Sequence, residues 1–102
     1  MATNRCPVAK RLKEARVAAG LSQRQLGVAA GIDEFSASPR MNQYETGKHV
    51  PDFLTLKHIG KVLKCPTPFF YAEDDKLAQA ILAFSKLNQE DKTKILKLLD
   101  IM

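Results

Sequence analysis

Glycines and prolines divide this chain into short stretches, and within each stretch apolar residues recur every three or four positions. That spacing lines them along one face of a helix. Gly20, Gly31 and Gly47 stand where helices would stop in a left-handed turn. Pro66 and Pro68 forbid a helix from continuing past Cys65. Phe69-Phe70-Tyr71 is too short an apolar run to count as a strand. The pattern predicts an all-α protein, and its 102 residues suffice for an ordinary core without a metal or disulfide.

The first predicted helix runs from about Pro7 to Ala19, with Val8, Leu12, Ala15 and Ala19 as its apolar stripe. Lys10, Arg11, Lys13 and Arg16 fill the remaining faces. Pro7 suits a first helical position, where a missing N–H is no loss. Ser22 caps the second helix, and Gln25 completes a capping box. Leu21 staples onto Leu26, Ala29 and Ala30 extend the apolar side, and Gly31 ends the helix. A polar connection, Ile32-Asp33-Glu34-Phe35, leads to a third helix from about Ser36 to Thr46. Pro39 sets that start, because proline is tolerated in the first turn of a helix but not beyond it. A fourth helix spans Asp52 to Leu63, with Phe53, Leu56, Ile59, Val62 and Leu63 on its apolar face. Two more follow. Asp75 to Leu87 aligns Leu77, Ala80, Ile81, Phe84 and Leu87; Asn88 to Asp100 aligns Ile95, Leu98 and Leu99.

The net charge is +5, and it is unevenly spread. Residues 1–71 carry +6, while residues 72–102 carry −1. A basic region of this kind attracts polyanions such as nucleic acid. Cys6 and Cys65 are far apart, and His49 and His58 are not at ligand spacing from them, so reduced thiols and no metal are expected. No nucleophile–base pair, acidic pair or phosphate loop stands at workable spacing, so no enzyme and no cofactor are expected. The carboxylates Glu73, Asp74 and Asp75 read as a helix start. The first ten residues hold no apolar run, and no stretch approaches the ~18 apolar residues of a membrane span. The expectation is a soluble cytoplasmic protein.

A helix pair that reads nucleic acid needs small residues where its helices cross and a glycine at the turn. It also needs polar groups at the start of the first helix, to hold phosphate, and along the outer face of the second, to meet base edges. Gly27, Ala29 and Ala30 are small, and Gly31 is the turn. Ser22, Gln23 and Arg24 open the second helix. On the third, Ala37, Met41 and Tyr44 share an inward face; Ser36, Pro39, Arg40 and Gln43 fall opposite, with Asn42 at the edge and Glu45 inward. The outer face from Ser36 onward carries no carboxylate.

Leu21-Ser22-Gln23-Arg24-Gln25-Leu26, Ala30-Gly31-Ile32, Asn42-Gln43-Tyr44-Glu45-Thr46-Gly47-Lys48 and Pro51 together form an ordered set. It continues through Thr55-Leu56-Lys57-His58-Ile59 and Lys61-Val62-Leu63 to Pro68-Phe69-Phe70. As a whole it resembles the lambda-repressor-like, Xre/Cro-type helix-turn-helix family. The resemblance implies a five-helix lambda-repressor-like DNA-binding domain over residues 8–72, followed by two further helices over residues 73–102 that are expected to pair copies of the chain. It implies a transcriptional regulator, expected here to be a repressor, bound as a homodimer to an inverted-repeat operator in double-stranded DNA. Arg40, Asn42, Gln43, Ser38 and Ser36 would read bases, and Ser22, Gln23, Arg24, Lys48 and His49 would hold phosphates. The resemblance further assigns Glu45 a structural role, pairing with a basic residue of the first helix.

Two departures stand out. Gly27 replaces the family's usual alanine, at about 1 kcal/mol of helix propensity. The stretch from Gly31 to Glu45 is four residues longer than the common form, with the addition between Asp33 and Pro39. A rival reading is a protein-interaction module, such as an antitoxin or adaptor, whose DNA contacts are secondary.

Overall fold

The computed structural model describes residues 6–102. These form seven helices and, among the described residues, no strand: α1 (Val8–Ala18), α2 (Gln23–Ala29), α3 (Glu34–Thr46), α4 (Phe53–Leu63), α5 (Thr67–Phe70), α6 (Asp75–Ser85) and α7 (Gln89–Asp100). The predicted all-α architecture is therefore observed, with most boundaries shifted by one or two residues.

Side-chain caps explain where the helices begin. Ser22 accepts from the Gln25 N–H at 3.0 Å, while the Ser22 N–H donates to Gln25 Oε1 at 2.8 Å, closing the predicted capping box. Asp52 caps α4 by accepting from the Thr55 N–H at 2.8 Å, a bond that holds its carboxyl below the usual carboxylate range. Asp74 and Asn88 do the same for α6 and α7. Pro7 sits at the cap of α1, one position before the predicted one.

The start of α3 differs from expectation. The helix begins at Glu34, not near Ser36, and Pro39 lies inside it rather than in its first turn. Asp33 is the reason. Its carboxylate accepts from the Phe35 N–H at 3.0 Å, which starts the helix upstream. The cost falls on one carbonyl: Pro39 has no N–H to return to Phe35. The added residues before Pro39 thus form a further helical turn instead of a loop.

The core gathers Val8 and Leu12 of α1, Leu26 of α2, Met41 and Tyr44 of α3, Leu56 and Ile59 of α4, and Phe69 and Phe70 of α5. The two phenylalanine rings meet edge to face at 5.2 Å. A predicted surface cation, Arg11, is buried instead. Its guanidinium donates to the carbonyls of Ala72 (2.9 Å) and Glu73 (3.1 Å) and pairs with Asp75 at 2.9 Å. Arg11 borders the Val8–Leu12 stripe, so its apolar stem enters the core while its head finds partners at the α5–α6 junction. Lys10 reaches the same Asp75 carboxylate at 3.2 Å; this pairing, then that of Arg11, lowers the carboxyl pKa.

One predicted apolar face is shortened and another is rotated. Leu56, Ile59 and Leu63 are buried on α4, but Phe53 is exposed. On α6 the buried edge is centred on Ala78, flanked by Ile81 and Leu82, and Leu77 faces solvent. The small side chain of Ala78 permits the close approach that Leu77 would block. α7 buries none of its residues, leaving Ile95, Leu96, Leu98 and Leu99 on the surface. The molecule is accordingly elongated, with extents of 50 × 33 × 22 Å. Its radius of gyration is 15.1 Å, against about 13 Å for a compact chain of this length.

Candidate nucleic-acid interface

α2 and α3 are joined by a turn that runs through Gly31, whose φ of 95° lies in the left-handed region. The Ile32 N–H donates to the Gly27 carbonyl at 2.9 Å and the Gly31 N–H to Val28 at 3.0 Å, satisfying carbonyls at the end of α2. The helices cross tightly. A Cβ placed on Gly27 would lie 2.7 Å from the Ala37 Cβ and 3.1 Å from the Ala37 backbone. The glycine that departs from the family pattern therefore has a packing cause.

One buried ion pair fixes the angle of α3. The Arg16 guanidinium donates to both oxygens of Glu45, Nε at 2.5 Å and a terminal nitrogen at 3.0 Å, and also to the Leu21 carbonyl at 2.8 Å. The side chains are 14% and 3% exposed. This bidentate pair joins α1, the α1–α2 loop and α3, and raises the arginine pKa still further through its hydrogen bond with Glu45. The structural role that the resemblance implies for Glu45 is what the geometry displays.

Gln23 extends this network. Its amide N–H group donates to Asn42 Oδ1 and to Glu45 Oε1, each at 3.2 Å. Both amide hydrogens are then engaged, which leaves Oε1 as the remaining hydrogen-bonding group of the side chain.

Met41, Tyr44 and Ala37 are buried as predicted. Arg40 and Asn42 are exposed, whereas Gln43, Ser36 and Ser38 are half-buried. Lys48 and His49 are exposed after the Gly47 stop. Among the described residues, the side chains of Arg40 and Lys48 enter no ion pair. Arg24 is exposed but engaged: its guanidinium bonds the Glu34 carboxylate, and both side chains are more than half exposed. The polar strip thus does carry a carboxylate at its leading end, because α3 starts two residues earlier than predicted. At 100° per residue, the centre of the outward face runs through Phe35, Pro39, Asn42 and Thr46, with Gln43 on its flank and Arg40 farther round toward the buried side.

Phe35 is the residue that sequence reasoning misplaces. The pattern puts it in the connection, yet it stands in the first turn of α3 with 90% of its surface exposed. The signal that could have found it is Asp33, a capping residue directly before an acidic first turn.

No family model matches this chain, and no curated protein matches it. Among solved structures, the crystal structure of the transcriptional regulator BswR superposes with a TM-score of 0.84 at 44% identity, over 92% of this chain and 93% of that one. The likeness spans the α2–turn–α3 unit and reaches into the C-terminal helices. The chain belongs to the family of the transcriptional regulator BswR.

Proposed function

We propose that this protein is a sequence-specific regulator of transcription that binds duplex DNA as a homodimer, in the Xre/Cro helix-turn-helix manner. Residues 8–72 are the DNA-binding domain, and each α3 enters a major groove. The observation that carries this reading is the outward polar face of α3, locked to α1 and α2 by the buried Arg16–Glu45 pair. A reading helix must hold its side chains at fixed positions against base edges, and such a lock provides that. The basic excess of residues 1–71 supports the same reading.

In this arrangement Arg40 and Gln43 meet bases directly, Asn42 does so jointly with Gln23, and Ser36 and Ser38 contribute from the sides of the helix. Ser22, Arg24, Lys48 and His49 hold phosphates, while Gln23, whose amide hydrogens are both engaged, keeps no donor for a phosphate and stays with Asn42. Arg24 first exchanges Glu34 for phosphate, an inexpensive exchange because exposed ion pairs are worth about 0–1 kcal/mol. Residues 73–102 join the two copies. The unburied apolar side chains of α7 support this, as does the apolar groove between Phe53, Tyr71 and Leu77, since lone domains seldom leave so much apolar surface in water. Repression, by occupation of a promoter, is the expected outcome of binding.

Selection of duplexes from a random pool, followed by a salt titration, tests the proposal. An inverted repeat should emerge, with half-sites about one helical turn apart. Arg40→Ala should relax one base pair, and Lys48→Ala should weaken all duplexes alike and lower the salt slope by about one. Recovery of no preferred sequence, together with a stoichiometric protein partner on purification, would overturn it in favour of an interaction module.

A further inference from the structure

The geometry points to Phe35 as the residue that reads a thymine, by packing against its 5-methyl group in the major groove. This rests on the DNA-binding reading above and adds to it a contact of a different kind: apolar, and placed at the leading end of α3.

Several observations converge on that residue. Phe35 is 90% exposed, so its ring is covered by nothing in its own chain. A lone exposed apolar residue carries little meaning by itself. Here, however, the ring lies on the line of Pro39, Asn42 and Thr46, the outward centre of α3, two turns ahead of Asn42. The N-terminal part of a reading helix is what comes closest to base edges. The Asp33 carboxylate fixes this turn by accepting the Phe35 N–H at 3.0 Å, so the ring is presented from an ordered helix end.

The surroundings select the ligand. Asp33 and Glu34 directly precede Phe35, and their charges repel phosphate, which favours the floor of the groove over its wall for the ring. On the floor of the major groove, the methyl of thymine is the apolar group that an unmodified base pair offers.

The test uses the full chain and the duplex it selects. Each thymine of that duplex is replaced in turn by deoxyuridine, which removes the methyl and leaves the hydrogen-bonding edge intact. The expected result is one sensitive position per half-site, where wild-type affinity falls about fourfold, the value of one buried methyl. Phe35→Ala should bind the parent duplex more weakly and lose the sensitivity at that position alone. Phe35→Leu, still apolar, should keep part of it. Both variants should unfold at the wild-type temperature, because the ring packs against nothing. If the deoxyuridine scan is flat, or is the same for wild type and Phe35→Ala, the inference is overturned while the DNA-binding reading stands. If no duplex is selected at all, that reading falls and this one with it.

Discussion

The two ends of α3 are each tied to the rest of the molecule by an arginine–glutamate pair, and the pairs could hardly be less alike. At the C-terminal end, Arg16 holds Glu45 with side chains 14% and 3% exposed. At the N-terminal end, Arg24 holds Glu34 with side chains 58% and 59% exposed. Identical chemistry serves opposite purposes. In the buried pair each charge depends on the other, because little water reaches either. In the exposed pair each partner keeps its hydration and can be exchanged for another ion. The anchored end also contributes Met41 and Tyr44 to the core, while the free end displays Phe35. A helix held at one end and offered at the other suits a reader whose geometry must be fixed but whose leading turn must remain available.

The sharpest way to break this comparison is to neutralise the buried end. Glu45→Gln leaves Arg16 charged among groups that no longer balance it. The loss should be on the order of 3 kcal/mol, read as a lower urea midpoint at unchanged slope. Arg16→Lys should not substitute well, since an ammonium cannot span both Glu45 oxygens and the Leu21 carbonyl at once. A midpoint shift within error for Glu45→Gln would mean that packing alone orients α3.

A smaller effect is expected where the two halves of α3 meet α2. Gly27→Ala gains about 1 kcal/mol of helix propensity but drives its methyl to within 2.7 Å of the Ala37 Cβ. Overpacking of this sort costs about 1–3 kcal/mol. The clash involves a Cβ with no rotamer to change, so the net change should be destabilising by about 1 kcal/mol. Adding Ala37→Gly removes the obstructing methyl and should recover part of the loss. Thermal unfolding of the two single variants and the double variant gives the coupling directly. Additive losses would mean that the crossing is not limited by this contact.

How far the sequence can be read follows the same division. Caps at Ser22, Asp52 and Asn88, and the stops at Gly31 and Gly47, depend on neighbours in sequence, and they are legible there. So is the inward face of α3, because Ala37, Met41 and Tyr44 keep one period. What cannot be read depends on competition or on distance. Asp33 as a cap outweighs Pro39 as a boundary, which moves the start of α3 and brings Glu34 and Phe35 onto the helix. Arg11 looks like a surface cation, because the carbonyls of Ala72 and Glu73 that receive it lie about sixty residues away in the chain. The rotation of α6 is hidden for a similar reason: Ala78 is chosen by what it approaches, not by its hydrophobicity. Among the candidate interface residues, the exposure of Asn42 follows from helical phase, and that of Lys48 from its place beyond the Gly47 stop. The capture of Gln23 by Asn42 and Glu45 does not, since it requires the crossing angle of α2 on α3.

The smallest expected effect on stability, and the most telling about purpose, lies at the exposed end. Replacing either Arg24 or Glu34 by alanine should change folding stability by no more than about 1 kcal/mol, and their coupling should vanish in about 1 M salt, where screening acts over roughly 3 Å. The Arg16–Glu45 coupling should persist in the same salt, being shielded from solvent ions. Binding should separate the two exposed partners by sign. Arg24→Ala removes a phosphate ligand and should weaken operator binding. Glu34→Ala frees Arg24 from its competitor and removes a charge that repels the DNA, so it should tighten binding about two- to fivefold and steepen the salt dependence. Were Glu34→Ala to weaken binding instead, the carboxylate would itself be a contact, accepting from a cytosine amine, and the leading turn of α3 would have as fixed a set of partners as its anchored end.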